Sequence, residues 1–355
     1  MRKAVSVASP SPTSSGLPTA RAVDHHAFTV PRLDEAVAFF TGVLGGELCY
    51  REGPVEDSSG DWMTRKLGVH PRARAQVALV RLGAHCNLEL FEYAAPGQIT
   101  SPPGPNDVGG HHLALTVTDL GAAEEHLRRS GAVRLGPSDR DGSRRWFLTP
   151  VGMLLSLGGP GRRDGRRFVP TPRPRPNAAE RSLGLLGVEH VSYTVADLDA
   201  ATAFFTDVLG AEVVEGREDA ADGPDGHWPP GAERCRRVLL RTGPTANVEL
   251  RQSGRGATRS RPPLNSDVGG HHLAFFVDDV DAAAAHLRRQ EGVTLMGEPE
   301  TIAEGPIAGD RWLYFGTPIG IQMEIINMPD GSLPYEAQTT ARRATPGALR
   351  WHDRP

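Results

Sequence analysis

The 355-residue sequence is short of several things at once. It has three cysteines, Cys49, Cys86 and Cys235, and none stands in a CxxC pair. A closed disulfide set is therefore excluded, and free thiols fit a reducing, cytoplasmic setting. Lysine is confined to Lys3 and Lys66, although arginine is abundant. The formal net charge is only −4, so there is no excess of one sign to draw the chain to nucleic acid or an anionic membrane. No apolar run approaches the roughly 20 residues that a membrane-spanning helix needs. Ser and Pro interrupt residues 1–22, which read as a disordered N-terminal tail rather than a secretory signal.

What the sequence does have is internal repetition. "VDHHAFTVPRLDEAVAFFTGVLGGEL" at 23–48 matches "VEHVSYTVADLDAATAFFTDVLGAEV" at 188–213, and "NDVGGHHLAL" at 106–115 returns as "SDVGGHHLAF" at 266–275. A second level lies within each half: 111–132 has the form of 25–46, and 271–293 the form of 190–211. The chain reads as four copies of one unit. In each, a period-2 strand is followed by Asp-Leu or Asp-Val (Arg-Leu in the first copy), an amphipathic helix and further short strands. A βαβββ unit with one helix cannot cover both faces of its sheet, so units are expected to pair and curl around a shared cavity. The expected boundaries are 23–158 and 188–328 for two domains, 159–187 for an Arg/Pro-rich linker, and 329–355 for a C-terminal tail. The fold class is α+β.

Side chains alternate across a strand, and this sorts the candidates. A histidine stands at the same register in all four first strands: His25, His112, His190 and His272. The other histidine of each doublet, His111 or His271, points the opposite way and reads as structural. Last strands add Glu89 in "NLELFEY", Glu249 in "NVELRQ" and Glu324 in "GIQMEII", with Ser156 at the fourth copy. A carboxylate on an apolar strand is costly unless paired or metal-bound. The second half therefore offers His190, Glu249, His272 and Glu324 as ligands of a divalent ion, Fe, Mn, Co, Ni or Zn. His25, Glu89 and His112 make a second, incomplete set. Ser192, Thr194 and Arg251 share the site face and could orient a substrate, and Arg311, Trp312 and Tyr314 could line the cleft. The connections at 51–75 and 214–235, with Trp62, His227 and Trp228, have the length of lids.

These features resemble the vicinal oxygen chelate superfamily, which includes glyoxalase I, methylmalonyl-CoA epimerase, extradiol dioxygenases and bleomycin- and fosfomycin-resistance proteins. The resemblance covers about 23–158 and 188–328. It implies four βαβββ modules paired into two glyoxalase-like barrel domains, with the metal held from first and last strands. It also implies a small oxygenated substrate whose carbonyl is polarised, with Glu324 or Glu249 moving the proton in an isomerase, epimerase or lyase reaction. A ring-cleaving Fe(II) dioxygenase is the rival expectation, since "YFGTPIGIQME" at 314–324 resembles the end of that signature. A sequestering resistance protein is a third. The first half, lacking its last carboxylate, is expected to carry a degenerate site. Partners are limited to the small molecule and, at most, a second copy in a homodimer.

Overall fold

The computed structural model describes residues 16–136, 144–161, 165–219, 235–253, 259 and 261–354. The first module comprises β1 (Ala20–Thr29), α1 (Leu33–Gly42), β2 (Glu47–Glu56), α2 (Trp62–Leu67), β3 (Arg74–Leu82) and β4 (Cys86–Ala94). The second comprises β5 (His111–Val117), α3 (Leu120–Arg129), β6 (Val133–Leu135), β7 (Arg144–Leu148) and β8 (Leu154–Gly158). After α4 (Ala178–Leu183) comes the third, with β9 (Leu185–Thr194), α5 (Leu198–Ala203), β10 (Glu212–Asp219), β11 (Cys235–Arg241) and β12 (Asn247–Ser253). The fourth comprises β13 (His271–Val277), α6 (Val280–Leu287), β14 (Thr294–Leu295), β15 (Glu300–Thr301), β16 (Arg311–Gly316) and β17 (Gln322–Asn327).

The Asp of the recurring Asp-Leu or Asp-Val pair starts three of the helices. Asp119, Asp197 and Asp279 each accept a hydrogen bond from a backbone N–H of the first turn, satisfying donors that the helix leaves open. The first copy has Arg32 there, and Glu92 from β4 takes over by accepting from the Leu33 N–H at 2.6 Å.

Two sheets result, and each draws on both halves of the sequence. The nine-stranded sheet runs β14-β16-β17-β13-β1-β4-β3-β2, with β15 on β16, and joins modules one and four. The eight-stranded sheet runs β10-β11-β12-β9-β5-β8-β7-β6 and joins modules two and three. The expectation of one barrel per sequence half, 23–158 and 188–328, is thus corrected. First strands pair antiparallel across the halves, β1 with β13 and β5 with β9. The Gly-Gly pairs extend these ladders. Thr29 N donates to Gly270 O at 2.8 Å, and Thr194 N donates to Gly110 O at 2.7 Å. Gly109 and Gly269 have φ of +87° and +81°, and a Cβ on either would meet a proline of the other half, Pro263 or Pro103, at 2.2 and 2.4 Å. Only glycine fits both constraints.

The apolar faces of both sheets and the helices share one continuous core, with Phe28, Phe40, Tyr193, Phe205, Phe275 and Phe315 among its buried members. Burial of each such ring contributes about 1.5–3 kcal/mol. The alternating positions, Glu89 and Phe91 against Leu88 and Leu90, face the clefts instead. Of the expected N-terminal tail, residues 1–15 lie outside the described residues, while Leu17 is buried and β1 begins at Ala20. The expected linker carries α4 and the start of β9. The C-terminal segment wraps back over both sheets, burying Leu333, Tyr335, Arg343 and Trp351.

Candidate metal centre and its cavity

Antiparallel pairing of β1 with β13 sets His25 opposite Ala274 and Ala27 opposite His272, so the two imidazoles project from adjacent strands to the same side. Glu89 pairs with Ala27 from β4, and Glu324 pairs with Ala274 from β17. The four side chains converge. His25 Nε2 lies 3.1 Å from His272 Nε2 and 3.2 Å from Oε2 of both Glu89 and Glu324. His272 Nε2 is 3.5 Å from each carboxylate. All four are buried.

The second convergence has His112 and His190, with Nε2 atoms 3.3 Å apart, and Glu249, whose Oε1 is 3.9 Å from His190 Nε2. The structure therefore brings together all seven sequence-predicted ligands, but not in the predicted groups. His190 and Glu249 do not meet His272 and Glu324, and His112 does not meet His25 and Glu89. The complete set is His25, Glu89, His272 and Glu324, and the incomplete one is His112, His190 and Glu249. The first half is accordingly no degenerate domain, since it supplies two of the four residues of the complete cluster.

The complete cluster fits a divalent ion by its donor chemistry. Ligand atoms about 2.1 Å from a common centre and at right angles to one another lie about 3.0 Å apart, and tetrahedral ones about 3.4 Å. The observed separations fall in or just beside that span. Two buried carboxylates and two imidazole nitrogens facing one point also need a cation. Within the protein alone, protons supply it. Burial would depress His25, but Glu89 and the bonds with Asp24 and Glu324 hold it well above its ordinary range. Burial would raise Glu89, yet His25 and His272 keep it well below the usual carboxylate range.

Surrounding groups hold this cluster in place. His25 Nδ1 donates to Asp24 Oδ2 at 2.7 Å, a contact that points Nε2 inward. Tyr314 OH lies 3.1 Å from His272 Nε2, and Tyr50 OH donates to Glu89 Oε1 at 3.4 Å. Outward from the cluster opens a cavity of about 930 Å³, with His25, Glu89 and Glu324 on its wall. Apolar cover comes from Val77, Phe91, Trp312 and Ile326, and polar groups include Tyr50 and Glu52. Burial, with Glu89 nearby, pushes Glu52 up to about 7. Trp62 lines this cavity as a lid residue would, whereas His227 and Trp228 lie outside the described residues. Arg311 is turned away, ion-paired with Asp281 at 2.8 Å.

The incomplete cluster is surrounded differently. Strand register makes Arg237, Arg251 and Arg144 the counterparts of Val77, Phe91 and Trp312, and Ser156 the counterpart of Glu324. Arg237 Nη1 donates to Glu249 Oε2 at 3.0 Å, Ser192 Oγ to Glu249 Oε1 at 2.8 Å, and Arg144 Nη1 to Ser156 Oγ at 2.9 Å. Thr194 donates to Pro105 O at 3.0 Å. Burial lowers both His112 and His190. Among the described residues neither Nδ1 has a hydrogen-bond partner.

Asp24, Tyr50, Glu52 and Arg343 were not among the sequence candidates. Asp24 had a signal, since an acid precedes the first-strand histidine in both "VDH" and "VEH". Arg343 had none, because it lies in a segment without periodicity.

Comparison with known proteins bears on this architecture. The family model described as Glyoxalase/Bleomycin resistance protein/Dioxygenase superfamily matches residues 22–157 and 187–325. A 2-epi-5-epi-valiolone epimerase from Actinomyces sp is 49% identical over 177 residues, covering 48% of this chain and 93% of the relative. Glyoxalase I from Zea mays superposes with a TM-score of 0.54 at 16% identity, covering 86% of this chain and 92% of the maize chain. A putative dioxygenase from Bacillus subtilis gives 0.56 at 17% identity, covering 88% and 87%. At those identities the two structures show a shared fold.

Proposed function

The chain belongs to the Glyoxalase/Bleomycin resistance protein/Dioxygenase superfamily, and within it we propose that it is a divalent-metal-dependent epimerase of a small oxygenated ketone. The observation that carries this reading is the convergence of His25, Glu89, His272 and Glu324, three of which, His25, Glu89 and Glu324, lie on the wall of the large cavity. The epimerase relative supports it by giving the reaction type and a substrate class.

His25, Glu89, His272 and Glu324 would hold the ion. Bound there, a divalent cation would polarise a carbonyl oxygen and make the adjoining C–H more acidic. Epimerisation then needs a proton removed from one face of that carbon and returned to the other. Glu52, from module one, and Glu324, from module four, both line the cavity and would make the two transfers. Glu52 exchanges a proton near neutrality, where a general base works best. The apolar wall of Phe91, Trp312 and Ile326 would shield the carbon that loses its proton from water. Glu249, which the sequence offered as the alternative to Glu324, lies in the other cluster and away from this cavity.

Two measurements test the proposal. Protein purified without added metal should hold about one divalent ion per chain, lost in His272→Ala. With a valiolone-type ketone in D2O, NMR should show deuterium entering at the carbon beside the carbonyl together with inversion. Oxygen uptake with catechols, and no exchange with the ketone, would overturn the epimerase in favour of ring cleavage.

A further inference from the structure

We infer that the C-terminal segment is part of the metal-site machinery, with Arg343 as a positioning residue that acts on His25 through Asp24. This rests on the reading of His25, Glu89, His272 and Glu324 as a metal site. After β17 the chain returns across module one. Tyr335 packs on Tyr50 with ring centroids 5.4 Å apart, and its N–H donates to Pro306 O at 3.0 Å. Asn87 then clamps Ala344 by two hydrogen bonds, of 2.7 and 2.9 Å, while also donating to Asp24 O at 2.7 Å. Arg343 is thereby delivered to a buried position, 4% exposed.

There its guanidinium donates to Asp24 Oδ2 and, at 3.4 Å, to Asp310 Oδ2. Asp24 Oδ2 is the same atom that accepts from His25 Nδ1, and Asp24 Oδ1 has no partner among the described residues. One oxygen therefore receives both donors, and the position of the guanidinium sets the position of the carboxylate beneath the imidazole. A carboxylate that orients a ligating histidine tunes the metal as much as the ligand does. Without Arg343 a buried, uncompensated Asp24 would relieve itself by turning away from His25.

The other cluster supplies the contrast. Glu189 precedes His190 as Asp24 precedes His25, and it too meets an arginine, Arg144, at 2.6 Å. Yet Glu189 stays 3.9 Å from His190 Nδ1. The hydrogen-bonded chain from arginine through acid to histidine is complete only where the C-terminal segment provides the arginine.

The test is Co2+ titration of the full-length, chelator-treated protein against a competing chelator, with circular dichroism to verify folding. Arg343→Met and Asp24→Asn should each weaken Co2+ binding by about 10- to 100-fold. The double variant should be no weaker than the poorer single, because both remove one device. Arg350→Ala removes a clamp of the same segment onto Asp278, 2.7 Å away, and should leave Co2+ affinity unchanged. Arg343→Lys keeps the buried charge but loses the fork, so it should still weaken binding several-fold even if the Met variant does not fold. Wild-type affinity in Arg343→Lys, or losses that multiply in the double variant, would overturn the inference. Wild-type binding that survives His272→Ala would overturn the metal reading itself.

Discussion

Among individual residues, Glu52 makes the sharpest claim on the chemistry. It is held at about 7 by burial and by Glu89. A base must be ionised to accept a proton, so the rate should rise with pH to a plateau, and an ion held by Glu89 would cancel that carboxylate's push and set the midpoint at or below about 7. Glu52→Gln should lower kcat by about 10²- to 10⁴-fold, abolish that limb of the pH profile and leave the metal content near one per chain. A fall in kcat with the limb intact would remove Glu52 from the proton path. Glu52 was not legible in the sequence, because it lies in a strand of mixed polarity, "REGPVE", where nothing distinguishes a cavity carboxylate from a solvated one. The histidines and glutamates of the two clusters were legible because they repeat at fixed register on strands that are otherwise apolar.

Strand pairing decides what those residues become. The four modules, their helix caps and the facing of each strand could be read from the repeats. Which first strand pairs with which could not, since four near-identical units satisfy the same hydrophobic pattern in either arrangement. The observed pairing sets the Gly-Gly turns against Pro103 and Pro263 of the opposite half, a relation with no local signature. Arg144 on β7, opposite Gly158, reaches across to Ser156, and its counterpart on β16 is Trp312, opposite Ile326 and one step from the Tyr314–Glu324 pair. Ser156→Glu alone should form an ion pair with Arg144 and take up no second ion. Ser156→Glu with Arg144→Trp should raise the metal content toward two per chain by elemental analysis. No increase would mean that Arg237, bonded to Glu249, is sufficient to keep that cluster free of metal.

At the scale of the whole molecule, a column of rings, buried at His26, Tyr193 and His271 and half-buried at His111, joins the two sheets. His26 Nδ1 meets Tyr193 OH at 2.9 Å, Tyr193 stacks on His271, and His271 packs against His111. These are the alternate histidines of the doublets, facing the core as the strand alternation requires. Burial lowers His26 and His271 to about 3 and His111 to about 4. Their folded values lie below the unfolded value near 6.5, so the unfolded chain binds more protons below that pH. Their contribution is full above about 6.5 and lost as pH falls toward 4, at a limit of about 4 kcal/mol per pH unit for three sites. Urea denaturation of metal-free protein should show the midpoint dropping steeply between pH 6.5 and 4.5, in one transition, since both sheets share a core. A midpoint flat over that range would contradict neutral burial of the column.

Exchange of modules between the halves also governs how such a chain can diverge. Each half carries one side of both clefts, so neither half is dispensable to the complete cluster, and neither can decay as a block. A site can be retired only one side chain at a time. That is the pattern around His112, His190 and Glu249, where a serine and three arginines replace a carboxylate and three apolar groups while every strand is retained. A half-length ancestor built this way would need two copies to form any cleft, and would form two alike. Two such copies joined end to end are no longer bound to that symmetry, and in this chain the two clusters differ accordingly.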